Sequence, residues 1–390
     1  MRSEVQWMSI LIALCACSAE KSPDGSSTDA LDTAVEDTAE ATLPEVDAAL
    51  ATGIQEIADS AAGDLEAGGL IIGVSVPGYA PYVAAAGIAD EGTGERMAPD
   101  HISRIGSVTK TFVSAATLQL VDEGLLSLDD TVSQHIDVLA RGDDITVAHL
   151  LSHTSGLQDY TYDSELAGRF AEAHTDEALI ALIADDSLNS EPGSSFGYAN
   201  TNYVLLGMLI EAVTGQRWDE DIESRFIEPL SLDDTRAPGG SEGWGATVPG
   251  YIGPSDVTSS LHPSLFGASG AMESSVQDQL VWGQAYLSGS LLSEGLHAQQ
   301  LADDVVVSSG ALWVRLGVFQ WDSSVGGSDP ELWHNGAVNG YAAWLGHRLD
   351  SGITISVLAN GWIIQGAGSY DFNYPMTVSD EIWRLLESME

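Results

Sequence analysis

Apolar residues along this chain follow two different rhythms. Short runs rich in β-branched residues lie at 70–77 and 82–88, parted by Gly78 and Pro81, and again at 342–349 and 353–360, parted by Asp350-Ser351-Gly352. Each pair predicts a β-hairpin, because strand-length apolar runs are interrupted by residues that favour turns. Between the pairs the spacing changes to three and four residues. That predicts helices over 111–123, 149–151, 176–184, 202–214 and 276–288, with one more over 378–387 closing the chain. Strands at both ends with helices between them predict an α/β (α+β) fold. One antiparallel sheet is built from both termini and flanked by helices, with a mostly helical lobe inserted. The α/β lobe takes 51–125 and 300–390, and the helical lobe 126–299.

Charge narrows the partners. The chain has 390 residues, with 58 Asp plus Glu against 13 Lys plus Arg and a formal net charge of −45. Such a surface repels phosphate backbones and anionic lipid headgroups, so no nucleic-acid partner and no electrostatic membrane docking are expected. Lys21 and Lys110 are the only lysines, the other basic residues being arginines that stay charged. Amine chemistry in the folded part therefore rests on Lys110.

The first 17 residues read as a leader. Arg2, the apolar stretch from Trp7 to Leu14 and the sequence Leu14-Cys15-Ala16-Cys17 have the layout of an export signal. The last four residues resemble the bacterial lipobox, in which the final cysteine, here Cys17, is acylated. The expectation is a lipoprotein-type signal peptide over 1–17 and an exported, lipid-anchored protein of the cell envelope or periplasm; simple secretion is the alternative. Residues 18–50 carry nine acidic residues, one lysine and no aromatic, the composition of a flexible tether. The folded domain, 51–390, then lacks disulfides, thiolate metal ligands and a cysteine nucleophile.

Three short segments can carry chemistry. Ser107-Val108-Thr109-Lys110 precedes an apolar-periodic helix, which places Ser107 at a helix N-terminus and Lys110 one turn further on the same face. Unpaired amides and the positive dipole end stabilise an alkoxide and disfavour an ammonium, conditions that activate a serine. Tyr198-Ala199-Asn200 places a phenol and an amide before another helix, although Asn200 also suits an N-cap. His334-Asn335-Gly336 begins the C-terminal strands, where glycine allows close backbone approach; an Asn-Gly turn with an exposed histidine is the plainer reading.

Other patterns compete less well. Gly193-Ser194-Ser195-Phe196-Gly197 matches the nucleophile elbow G-x-S-x-G but lacks the preceding apolar strand. His149 and His153 stand four apart, yet no carboxylate completes a metal site. No metal and no cofactor are expected. The six tryptophans from Trp313 to Trp383 suit core and sheet packing better than a sugar platform.

Taken in order, SVTK at 107, YAN at 198 and HNG at 334 resemble the three motifs of the serine β-lactamase and penicillin-binding superfamily, in its class C β-lactamase, D-alanyl-D-alanine carboxypeptidase and esterase branch. The segments 150–157, 192–215 and 267–275 are similar to family segments as well. The resemblance implies a β-lactamase/transpeptidase-like fold and an acyl-enzyme on Ser107, with Lys110 and Tyr198 as proton-transfer partners. It further implies that Asn200 orients the substrate amide and that the Ser107 and Ala337 amides, beside Gly336, form an oxyanion hole. The expected partner is a small-molecule or peptide acyl donor. His334 stands where many relatives have lysine, so a histidine titrating near pH ~6.5 is expected to hold a substrate carboxylate only below that pH. A D-alanyl-D-alanine carboxypeptidase-like peptidase or esterase is the leading expectation. A catalytically silent envelope protein that binds peptidoglycan or a partner is the alternative.

Overall fold

The computed structural model describes residues 43–245, 247–302, 305–308, 312–321, 329–365, 369–371 and 373–389. Cys17 and most of the expected tether lie outside them. The last part of that tether is folded: Val46 and Leu50 are buried, and the Asp47 carboxylate accepts the Ala49 amide at 2.7 Å to cap helix α1, Ala48–Gly63. Leu50, Ile54 and Ala58 recur every fourth residue on the buried face of α1. This stripe is diluted by alanine and glycine, which is why the apolar pattern alone does not reveal it.

A nine-stranded antiparallel sheet dominates the described residues. Its strands are β1 Gly69–Ser75, β2 Tyr82–Asp90, β3 Glu95–Arg96, β8 Val305–Ser308, β9 Leu312–Val314, β10 Phe319–Trp321, β11 Glu331–Val338, β12 Tyr341–Arg348 and β13 Thr354–Ala359, in the spatial order β3-β2-β1-β13-β12-β11-β10-β9-β8. Both expected hairpins are present, and β1 pairs with β13 from Leu70↔Ala359 to Ser75↔Thr354, joining the two ends of the domain as expected. Two-residue strands β4 Ser103–Arg104 and β7 Glu273–Ser274 pair with each other, while β5 Tyr251–Ile252, β6 Ser255–Asp256, β14 Gly361–Gln365 and β15 Ser369–Asp371 make a small second sheet.

Strand β1 is buried along its whole length because both faces are covered. Leu70, Ile72 and Val74 face the cluster formed by α1 and the closing helix α9, Tyr374–Ser388; Ile71 faces the helical side. Trp321, Trp333 and Trp344 stack with centroids 5.3 and 4.7 Å apart, so these tryptophans pack the sheet.

The helical part contains α2 Thr109–Asp122, α3 Val147–Leu151, α4 Asp176–Ala181, α5 Asn200–Thr214, α6 Trp218–Ile222, α7 Val276–Leu287 and α8 Glu294–Gln300. Helices α2 and α5 are buried almost all round and pack on each other, joined by a 3.1 Å contact between Ser114 Oγ and Tyr203 Oη. Nothing on their buried faces can tilt without opening the core.

One junction positions the chemistry. Strand β10 pairs with β11 only at Glu331 to Trp333, and beyond it the 3-10 turn Gly106–Val108 packs on β11 in place of a strand. His334-Asn335-Gly336 therefore lies inside a strand, and its reading as a turn does not hold. A Cβ on Gly336 would overlap the Ile105 carbonyl oxygen and lie 3.0 Å from Ser107 N, and one on Gly106, whose φ is +51°, would lie 2.7 Å from Ala337 N. Gly336→Ala should consequently cost about 1–3 kcal/mol by overpacking and also displace Ser107. Denaturant unfolding and covalent labelling of the variant check this, with Gly63→Ala, which meets nothing within 4 Å, as the neutral control. Unchanged labelling in Gly336→Ala would mean that the junction does not hold the serine.

Candidate active site

Ser107 sits in the 3-10 turn that runs into α2, and Lys110 is one turn along, fully buried. Lys110 Nζ lies 2.8 Å from Asn200 Oδ1, 2.6 Å from the Ser269 carbonyl oxygen and 3.1 Å from Ser107 Oγ. Asn200 Oδ1 and the Ser269 carbonyl can only accept. In a neutral amine they take both N–H groups, which leaves the lone pair for the Ser107 hydroxyl. Burial pushes the Lys110 pKa from 10.5 down to about 7, with Asp159 pulling the other way. A general base at neutral pH needs that combination of geometry and basicity.

Tyr198 Oη donates to Ser107 Oγ at 2.9 Å. The residue as a whole is 37 % exposed, but its hydroxyl end is enclosed by protein. Enclosure raises its pKa, the Ser107 hydrogen bond lowering it only in part. The phenol is therefore protonated and is a proton donor in the resting site.

Asn200 is the first residue of α5 and not its cap. Its Nδ2 donates to Asp159 Oδ2 at 3.0 Å while its backbone amide reaches the same oxygen at 2.9 Å, so Asp159 caps the helix from outside. One Asn200 N–H remains for a substrate. Asp159 in turn accepts from Thr161 through both backbone and hydroxyl. The Ser269 carbonyl arrives because 267–275 zips onto the strand entering the serine turn: Arg104 pairs with Glu273, Ile105 N donates to Met272 O at 3.0 Å, and Met272 N donates to Thr109 Oγ1 at 3.1 Å. A cavity of about 330 Å³ beside Tyr198 is lined among others by Leu157, Asp159, Tyr162 and Phe196.

His334 does not behave as expected. It is 2 % exposed, its Nδ1 donates to the Asn335 carbonyl at 2.6 Å, and burial together with Lys110 lowers its pKa to about 3. The side chain is neutral throughout the physiological range, so the expected imidazolium grip on a carboxylate below pH ~6.5 is withdrawn. Desolvation outweighs the intrinsic basicity that the bare residue type suggests.

The competing patterns dissolve. Ser195 lies in an exposed turn with no strand before it. Helix α3 ends at Leu151, so His149 and His153 share no helix face, and their Nδ1 atoms accept from the Thr146 amide and from Asn202 Nδ2 respectively.

A family model described as Beta-lactamase matches residues 54–371. The chain belongs to that family. A penicillin-binding protein 4 of Amycolatopsis lactamdurans is 26 % identical over 309 residues, 72 % of this chain and 77 % of the relative. A D-stereospecific amidohydrolase from Streptomyces superposes with a TM-score of 0.69 at 28 % identity, covering 80 % of this chain and 94 % of the other. The D-amino acid amidase from Ochrobactrum anthropi SV3 complexed with L-phenylalanine gives 0.75 at 25 % identity, covering 87 % and 98 %. The protein is a serine hydrolase of the Beta-lactamase family with the expected mixed fold.

Within this family member the structure gathers Ser107, Lys110, Tyr198 and Asn200, and sets the Ser107 and Ala337 backbones against each other at the glycine junction. Sequence reasoning did not single out Asp159 or Ser269. Ser269 lies inside a segment already noted as family-like, but only its carbonyl acts, and a carbonyl leaves no mark in residue type. The electrostatics set a pH profile. Below about 7 Lys110 is charged and cannot accept the serine proton, so acylation should rise through pH 7 and level off above it, with no second step near 6.5 from His334. Lys110→Arg, which keeps charge and loses basicity, should lower acylation by about 10²–10⁴-fold. Stopped-flow acylation across pH 5–9 checks both, and a midpoint above 9 would show the lysine charged at neutral pH.

Proposed function

We propose that this hydrolase acts on amides or esters whose leaving side carries no carboxylate, through an acyl-enzyme on Ser107. The observation that carries this reading is the buried, neutral His334, which stands at the position where many relatives, by the resemblance, have a lysine cation. Lys110, the nearby amine, is buried, committed to three oxygens and in large part uncharged at neutral pH, so it cannot serve as that cation. The charge of −45 adds a field that opposes an anionic substrate. Similarity to a D-stereospecific amidohydrolase and a D-amino acid amidase supports amide donors in particular. These points favour the amidase or esterase reading over the D-alanyl-D-alanine carboxypeptidase. A silent binding role has no use for an amine held neutral beside a serine.

In the proposed reaction Ser107 Oγ attacks the acyl carbon as its proton passes to Lys110. The Ser107 and Ala337 amides receive the developing oxyanion. Tyr198 protonates the leaving amine or alcohol and regains the proton that Lys110 took from Ser107, which leaves Lys110 neutral again. Water then attacks the ester and gives its proton to Lys110, and Ser107 is reprotonated as the acid leaves. The acyl side chain fits the cavity lined by Leu157, Tyr162 and Phe196. We further propose that the enzyme acts outside the cytoplasm, tethered through Cys17, on the basis of Leu14-Cys15-Ala16-Cys17; Cys17→Ser should release it from membranes.

A fluorophosphonate probe should add one adduct to the wild type and none to Ser107→Ala. Turnover of D-phenylalanine amide or a neutral p-nitrophenyl ester should exceed that of an acyl-D-Ala-D-Ala peptide by about 10²-fold or more in kcat/KM. His334→Lys should narrow the gap by lowering KM for the peptide. Equal turnover of the peptide and the neutral donors by the wild type would reinstate the carboxypeptidase.

A further inference from the structure

Tyr198 must hold its hydroxyl against Ser107 Oγ, yet it lies in the irregular segment before α5 and over a third of it is exposed. One residue meets it on three sides. The His153 carbonyl accepts the Gly197 amide at 2.8 Å, its imidazole Nδ1 accepts the Ala199 amide at 3.3 Å, and its ring stacks on the Tyr198 ring with centroids 4.2 Å apart and 26° between planes. The two amides flank Tyr198 in sequence. His153 thus holds both neighbours and the ring itself.

The imidazole is held in its turn. Ser155 Oγ donates to Asn202 Oδ1 at 2.6 Å and accepts the Leu157 amide at 3.1 Å, which turns Asn202 Nδ2 towards His153 Nδ1 at 3.0 Å. Two donors converge on Nδ1, so the ring proton resides on Nε2. His153 is buried, and its φ of +55° is a left-handed conformation uncommon for a residue with a side chain. That conformation lets the carbonyl and the ring of one residue reach the same loop. Strained backbone of this kind persists where its surroundings over-determine it and clusters at functional sites.

We propose that His153 is the positioning residue for Tyr198, fixing the proton-donating hydroxyl on Ser107 without itself touching the reacting atoms. The inference rests on the part given to Tyr198 in acylation. A group that acts through another loses its effect once that other is gone, and this separates positioning from general support of the fold.

The test is a double-mutant cycle in the full-length enzyme. His153→Asn tolerates a left-handed φ and removes the ring; His153→Phe keeps an aromatic face and loses the acceptor. His153→Asn should lower kcat about 10–100-fold with KM within about threefold, and His153→Phe should fall between it and wild type. The pH midpoint near 7 set by Lys110 should not move. In a Tyr198→Phe background each His153 change should cost less than about twofold. Equal losses in both backgrounds, or no kcat loss in either His153 variant, overturn the proposal. If Tyr198→Phe is itself fully active, the role of Tyr198 fails first and takes His153 with it. Should both His153 variants fail to fold, Asn202→Leu, which frees the imidazole to turn, must show the same split between kcat and KM and the same silence in the Tyr198→Phe background.

Discussion

Everything in the site depends on one buried amine. Moving the Lys110 ammonium out of water lowers its pKa from 10.5 to about 7, a preference for the neutral form on the order of 5 kcal/mol. The Asp159 carboxylate opposes this but sits behind Asn200 and does not reverse it. Two fixed oxygens, one on Asn200 and one on the Ser269 backbone, then decide which way the lone pair points. Basicity near neutral pH thus comes from burial, and aim at Ser107 from the two fixed acceptors.

The groups around that amine are neutral for the same reason. His334 and His153 are both buried, and each lies close enough to Lys110 for its charge to lower their basicity further. Tyr198 is kept protonated by the protein around its hydroxyl. A chain with a large negative surface charge therefore encloses a centre in which Lys110 alone titrates near neutrality among these groups. The resting site is thus largely uncharged, and the charge that does build up, an ammonium on Lys110 and an oxyanion at the acyl carbon, forms within reach of groups that can hold it.

The scaffold supplies rigidity where the chemistry needs it. A sheet closed by pairing β1 with β13 presents β11 to the serine turn, and two glycines let the backbones meet without side chains between them. On the opposite wall, α2 and α5 are buried over most of their length, which holds Lys110, while Asn200 at the start of α5 is held by Asp159. Tyr198 arrives on a loop, and its order comes from hydrogen bonds and stacking instead of packing.

Much of this was legible in the chain. The change of apolar rhythm marked the two hairpins and the helices between them, and the three short motifs pointed to Ser107, Lys110, Tyr198 and Asn200, because local periodicity and residue type are written directly in order along the sequence. The scarcity of lysine alone singled out Lys110. Three things needed the tertiary structure. His334 became neutral because burial, which no residue carries in its own identity, outweighs intrinsic basicity. Asp159 and the Ser269 carbonyl entered the site because segments distant in sequence pack against α2 and α5. The role of His153 depends on a backbone angle and on contacts across 46 residues or so, from Asn202 and the Tyr198 loop. Residue type, spacing and family resemblance nominate the candidate groups; desolvation and long-range contact decide their protonation and their aim.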